Sequence, residues 1–145
     1  MEPKLDEREK TALKRIRFEN PLVKFDFSIA LDSVRAFHQN GTPILAGSDS
    51  PNPGTTPGAS LHRELELLVE AGLTPSEALK AATANPADAF GLVDRGRIAP
   101  GFRADLLLVE GNPISRITDT RRIAGIWKRG LRHDVDSPES QVKAD

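Results

Sequence analysis

Apolar residues follow two rhythms along this chain. Up to residue 92 they recur mostly at helical spacing; beyond it they come in short runs and alternations. Leu31, Val34 and Phe37 fall on one face of a helix predicted over Ser28–Asn40, with Gly41 as its stop. Thr42–Ala46 then runs almost unbroken in apolar residues, the pattern of a buried strand in a parallel sheet. Pro43 sits at its start, where a missing amide is tolerated. Residues 51–58 hold three prolines and two glycines in eight positions, which predicts an irregular but stiff loop. A helix from Ser60 to Ala71 buries Leu61, Leu65, Leu68 and Val69, and Gly72 ends it. Thr74-Pro75-Ser76-Glu77 opens the next helix with a capping box and a proline at its first position. Ala78, Leu79 and Ala82 are expected to face inward. Asn85-Pro86 starts a shorter helix that contains Phe90 and closes at Gly91.

The second rhythm predicts extended structure. Arg97-Ile98 is short and extended, and Pro100-Gly101 suits the centre of a type II turn. Ala104–Val109 reads as a second buried strand, and Gly111-Asn112-Pro113 turns the chain. Arg122–Lys128 alternates, and Gly130 begins a hairpin return. Four regions follow: a charged segment 1–27, a helical part 28–92, a β-rich part 93–133 and a polar tail 134–145 expected to be disordered.

Composition narrows the function classes. At 145 residues the chain is enough for one ordinary domain and well short of the about 250 residues of a closed (β/α)8 barrel. Six Phe, one Trp and no Tyr leave few platforms for stacking bases, and a net charge of −1 draws neither nucleic acid nor anionic lipid. No apolar run approaches a membrane span of about 20 residues. The start of the chain lacks the apolar core of a secretory signal. Cysteine is absent, which excludes disulfides and thiolate chemistry and is compatible with the expected cytoplasmic location.

One residue stands out as a candidate for chemistry. Asp49 ends Thr42-Pro43-Ile44-Leu45-Ala46-Gly47-Ser48-Asp49, just past the first predicted strand. In α/β sheets and barrels, chemistry gathers at the carboxyl ends of strands, and a carboxylate there holds a metal ion or moves a proton. Equally, Asp is a common turn residue, and Asp49 then only caps the loop that follows.

Five ordered segments resemble the carboxyl third of the amidohydrolase superfamily, nearest its imidazolonepropionase-like and prolidase-like members. They are Gly41–Asp49, Ser60-Leu61-His62-Arg63-Glu64-Leu65, Glu70-Ala71-Gly72-Leu73-Thr74-Pro75, Ala78–Ala87 and Gly96–Leu106. The resemblance covers about residues 28–132. It implies an α/β fold: residues 28–92 as the last helix–strand–helix portion of a TIM-like metal-dependent hydrolase barrel, and 93–133 as part of a small β-sandwich. It implies a divalent metal, commonly zinc, that activates water to cleave amide, lactam or dipeptide-like carbon–nitrogen bonds. Asp49 then matches the acid at the end of the last barrel strand, as metal ligand and as acceptor and donor of the proton. Asp105 is expected to cap or pair within the β-rich part.

The other ligands that the resemblance calls for have no counterpart. The chain holds three histidines, His38, His62 and His133, and no His-x-His pair. His38 ends a helix and reads as a packed or capping side chain, and His133 borders the tail. His62 lies in the first turn after the Pro/Gly loop, placed to touch substrate or simply to cap and pack. A catalytic metal site generally takes three protein ligands, and Asp49 is one. These residues are therefore expected not to turn over alone, and to self-associate or to need a complementing chain. The alternative is a non-catalytic remnant that serves as an interaction or oligomerisation module.

Overall fold

The computed structural model describes residues 26–133. The expectations for residues 1–25 and for the tail 134–145 lie outside the described residues. Four helices come first: α1 (Phe27–Gln39), α2 (Ala59–Glu70), α3 (Pro75–Ala81) and α4 (Ala84–Ala89). Three strands follow, β1 (Leu106–Val109), β2 (Ile123–Lys128) and β3 (Leu131–His133), with a 3-10 turn at Ile117–Arg121 between the first two.

The helical part forms around small side chains. Leu65, Leu68, Leu73, Ala78, Ala81 and Ile117 make the buried cluster, with Val34, Ile44, Ala46, Val69, Leu79 and Ala82 packed against it. Ala78 and Ala81 are fully buried. Their lack of bulk lets the main chain of residues 42–48 approach α3 closely, and the Ala46 N–H donates to the Ala81 carbonyl at 2.9 Å. Asn85 Nδ2 donates to the Ile44 carbonyl at 2.9 Å. α3 starts with the expected capping box: the Thr74 hydroxyl accepts the Glu77 N–H, and Glu77 accepts the Thr74 N–H at 2.8 Å. α1 is capped by Asp26, which accepts the Ser28 N–H at 2.9 Å, and Arg35 Nε ties it to the Ala71 carbonyl at the end of α2.

Residues 42–46 correct the sequence reading. They form no strand. A strand needs a neighbour to take its alternate amides and carbonyls, and the described residues provide no parallel partner. The helix face of α1 also differs from expectation. Leu31 and Val34 turn inward with His38, whereas Phe37 is 58% exposed.

The β part is one antiparallel sheet in the order β1-β2-β3. Leu106 pairs with Trp127 and Lys128 with Leu131. Arg129 and Gly130 both take positive φ, 53° and 78°, so the β2–β3 hairpin closes on a two-residue turn of the kind that matches strand twist. Asp105 behaves as expected: it accepts the Arg129 N–H at 2.8 Å and pairs Arg103 Nε at 2.7 Å. The strand predicted over 104–109 starts at Leu106 and is not buried, since Leu107 and Leu108 are 51% and 53% exposed. No second sheet stands against it among the described residues.

Asp119 holds the connection between β1 and β2. It is buried, accepts the Asn112 N–H at 2.9 Å and Arg116 Nε at 2.8 Å, and a Cβ at Gly111 would collide with its carboxylate. The β part meets the helices at two places: through α2 and the 3-10 turn, where Arg121 Nε donates to Glu66 at 2.6 Å, and at Gly96, which lies close against Ala87 and Thr83 at α4.

Candidate active site

The loop after residue 48 is built from short local bonds. Asn52 N–H donates to the Asp49 carbonyl at 3.1 Å, and Thr55 N–H to the Asn52 carbonyl at 2.9 Å. Ser48 and Ser50 join hydroxyls at 3.0 Å. Within this frame Asp49 is exposed and left-handed, with φ 49°. Left-handed backbone is costly for most side chains, and Asp and Asn are the usual exceptions besides glycine. Asn52 Nδ2 donates to Asp49 Oδ2 at 2.5 Å. Oδ1 receives no hydrogen bond from the described residues.

The three histidines lie in three places. His38 sits at the other end of the 42–48 segment, its Nε2 3.7 Å from Glu77 Oε2, in a hollow of about 250 Å³ lined also by Thr42, Pro43, Lys80 and Asn85. Ten residues of chain, 39–48, lie between it and Asp49. His133 ends β3 and is exposed. His62 is half-buried against the 3-10 turn, its Nδ1 3.1 Å from Thr120 Oγ1. Thr120 donates its own hydroxyl proton to the Ile117 carbonyl at 2.8 Å. Its oxygen is left to accept, so His62 carries its proton on Nδ1 and keeps Nε2 as the basic nitrogen. Burial, then the nearby Arg121 cation, holds the His62 imidazole below its ordinary pKa.

The sequence reading passes over Glu64. It is half-buried on α2, and burial pushes its carboxyl pKa up, with the backbone N–H of Gly47 acting against that. At 100° per residue, positions 62 and 64 point to nearly opposite sides of α2. Glu64 faces the segment that carries Asp49, and His62 faces the β part. The signal was present in the sequence: Glu64 occupies a position in the apolar stripe of Leu61, Leu65 and Leu68.

No three His, Cys, Asp or Glu side chains converge to hold a metal ion among the described residues. Asp49 offers one carboxylate, and its bonded neighbour is an amide. The residues present fit one ligand position of a divalent metal, not a whole site. No described helix is long and apolar enough to cross a membrane.

An acid just past an apolar segment, followed by a loop and a helix, is the local plan at the carboxyl end of a strand in a (β/α)8 barrel. The amidohydrolase family model matches residues 24–132, and the chain belongs to that family. It is 41% identical over 96 residues to an imidazolonepropionase of Deinococcus deserti, covering 63% of this chain and 24% of that protein. Among solved structures it resembles a Xaa-Pro dipeptidase with bound methionine in the active site. That likeness has a TM-score of 0.70 at 25% identity and covers 87% of this chain and 32% of the other. It also resembles a putative prolidase from Bifidobacterium longum, with a TM-score of 0.66 at 34% identity, over 71% of this chain and 26% of the other. The chain thus spans about a quarter to a third of the length of these relatives.

Proposed function

We propose that this chain contributes the Asp49 carboxylate to a hydrolase of carbon–nitrogen bonds, acting on a small amide, lactam or dipeptide-like substrate. In this reading residues 28–92 are the last helix–strand–helix units of a TIM-like (β/α)8 barrel, and 93–133 are part of a small β-sandwich. The observation that carries it is Asp49 itself, left-handed and exposed just past the apolar run, in a stretch that belongs to the amidohydrolase family. Likeness to an imidazolonepropionase and to a Xaa-Pro dipeptidase supports the bond class.

Asn52 occupies Oδ2, so Oδ1 is the atom left to act. It accepts a proton from the attacking water and returns it to the leaving nitrogen. A divalent metal, zinc being common in the family, would count Asp49 as one ligand among several from outside residues 26–133. Those donors come from a complementing segment or chain. The exposed Leu107, Leu108 and Leu131 support such association.

The test is to mix the chain with a polypeptide carrying the preceding barrel strands and the His-x-His pair, supply zinc, and follow hydrolysis of amides and dipeptides. Hydrolysis should appear only in the mixture and fall about 100-fold or more with Asp49→Asn. Hydrolysis indifferent to that change contradicts the proposal. The missing ligand set also favours a second reading, a non-catalytic interaction module, which expects defined oligomers and no hydrolysis in any mixture.

A further inference from the structure

Asn52 lies three residues past Asp49, where one turn of chain brings it back. Its backbone N–H donates to the Asp49 carbonyl at 3.1 Å, and its side-chain Nδ2 donates to Asp49 Oδ2 at 2.5 Å. One residue thus grips both the main chain and the carboxylate of Asp49. Asn52 is gripped in turn: its carbonyl accepts the Thr55 N–H at 2.9 Å and the Thr55 hydroxyl at 2.8 Å. The next residue, Thr56, is fastened to the first turn of α2 in both directions. Its N–H donates to Ser60 Oγ at 2.8 Å, and its carbonyl accepts the Ser60 N–H at 3.1 Å. Hydrogen bonds and a single peptide link therefore run from α2 through Thr56, Thr55 and Asn52 to the side chain of Asp49.

The side-chain bond is the one with a chemical consequence. An amide nitrogen donates and does not accept, so Asn52 Nδ2 needs a lone pair on the oxygen it meets. An ionised acceptor makes such a bond roughly twice as strong as a neutral one. Asp49 is exposed, and no other side chain among the described residues bonds its carboxylate. A solvated Asp turns among three staggered wells of χ1. Asn52 is the group that selects one of them, and it does so by engaging Oδ2 and leaving Oδ1 open.

We propose that Asn52 is a positioning residue for Asp49: its amide fixes the carboxylate in one rotamer, with Oδ2 held and Oδ1 presented, and the bonds through Thr55 and Ser60 tie that rotamer to α2. This rests on the reading of Asp49 given above and deepens it. Asn52 acts through Asp49 alone, as a supporting side chain that locks the rotamer of the one in front of it. What it supplies is a donor, not a shape, and the two can be separated by substitution.

Nuclear magnetic resonance of the 145-residue chain tests this, with the Asp49 χ1 populations read from three-bond couplings to its Cγ. Asn52→Asp keeps the shape and loses the donor, Asn52→Ala loses both, and Asn52→Gln keeps the donor one carbon further out. The principal Asp49 rotamer should fall from about nine-tenths in the wild type to about half or less in Asn52→Asp and Asn52→Ala, and recover at least in part in Asn52→Gln. The Thr55 amide, which bonds the backbone of residue 52, is the control and should exchange at the wild-type rate in all three variants. An Asp49 rotamer that does not move in Asn52→Asp or Asn52→Ala overturns the proposal, as does a glutamine variant no better than alanine. A Thr55 amide that loses protection together with the rotamer overturns it as well, since the turn as a whole then depends on Asn52. Neither readout involves metal or turnover, so failure here leaves the hydrolytic reading of Asp49 standing, and failure of that reading leaves these couplings as expected.

Discussion

Gly96 is where the β-rich part locks onto the helices, and replacing it with alanine measures that lock. Its φ is 82°, and a Cβ built there lies 2.5 Å from the Ala87 Cβ and 2.7 Å from the Thr83 carbonyl oxygen. Ordinary carbon contacts are about 3.5–4.0 Å, so the turn or α4 must shift by about 1 Å. Left-handed backbone costs a non-glycine residue about 1 kcal/mol, and overpacking costs about 1–3 kcal/mol more. Gly96→Ala is therefore expected to destabilise the chain by about 2–4 kcal/mol, a large share of an ordinary domain's stability. Gly41→Ala is the control. Its φ is 73°, with nothing within 4 Å of the added carbon, so only the backbone cost of about 1 kcal/mol applies. The assay is urea unfolding at one protein concentration, read by fluorescence of Trp127, the single tryptophan, and by helical circular dichroism. Equal losses for the two variants would refute the close docking of Gly96 on α4.

Other expectations follow from the same geometry. Thr74→Ala removes one half of the capping box and should cost about 1 kcal/mol in urea unfolding, with Thr74→Ser recovering most of it. His62 titrates below its ordinary pKa in the fold, so the unfolded chain takes up the proton first as pH falls. Stability from this group is complete above about pH 6.5 and declines as pH drops from there towards the folded pKa; His62→Asn should flatten that part of the urea-midpoint profile. Asp119→Ala strips the acceptor from Asn112 and Arg116 and should lower the thermal midpoint more than Glu110→Ala, whose pair with Arg122 is exposed.

Much of this fold could be read from local chemistry. The capping box at Thr74, the stripe of α2, the Asn85-Pro86 helix and the Gly130 hairpin each depend on neighbours within a few residues. The misreadings share another cause. Residues 42–46 have the composition of a buried strand, but a strand is completed by partners, and composition does not say whether they are present. Leu107 and Leu108 are apolar for the same reason and yet half-exposed, since nothing among the described residues covers the sheet. Phe37 keeps helical spacing with Leu31 and Val34, but the face that packs on α2 and α3 runs through His38 instead. Asp49 stands out in the sequence by its place after the apolar run, and the structure leaves it exposed with a left-handed backbone. Glu64 was legible too, as an acid in a leucine stripe. What it faces required the approach of α2 to residue 47, which no local pattern states. The side of α2 on which His62 packs was equally a matter of tertiary contact.

The central claim is that Asp49 is one coordinating group of a centre whose other donors lie outside residues 26–133. Bound zinc per chain, measured by elemental analysis on the isolated wild type and on Asp49→Ala, tests it most directly. The account predicts well under one zinc per chain in both, and no difference between them. One tightly held zinc in the wild type, lost in the variant, would contradict it.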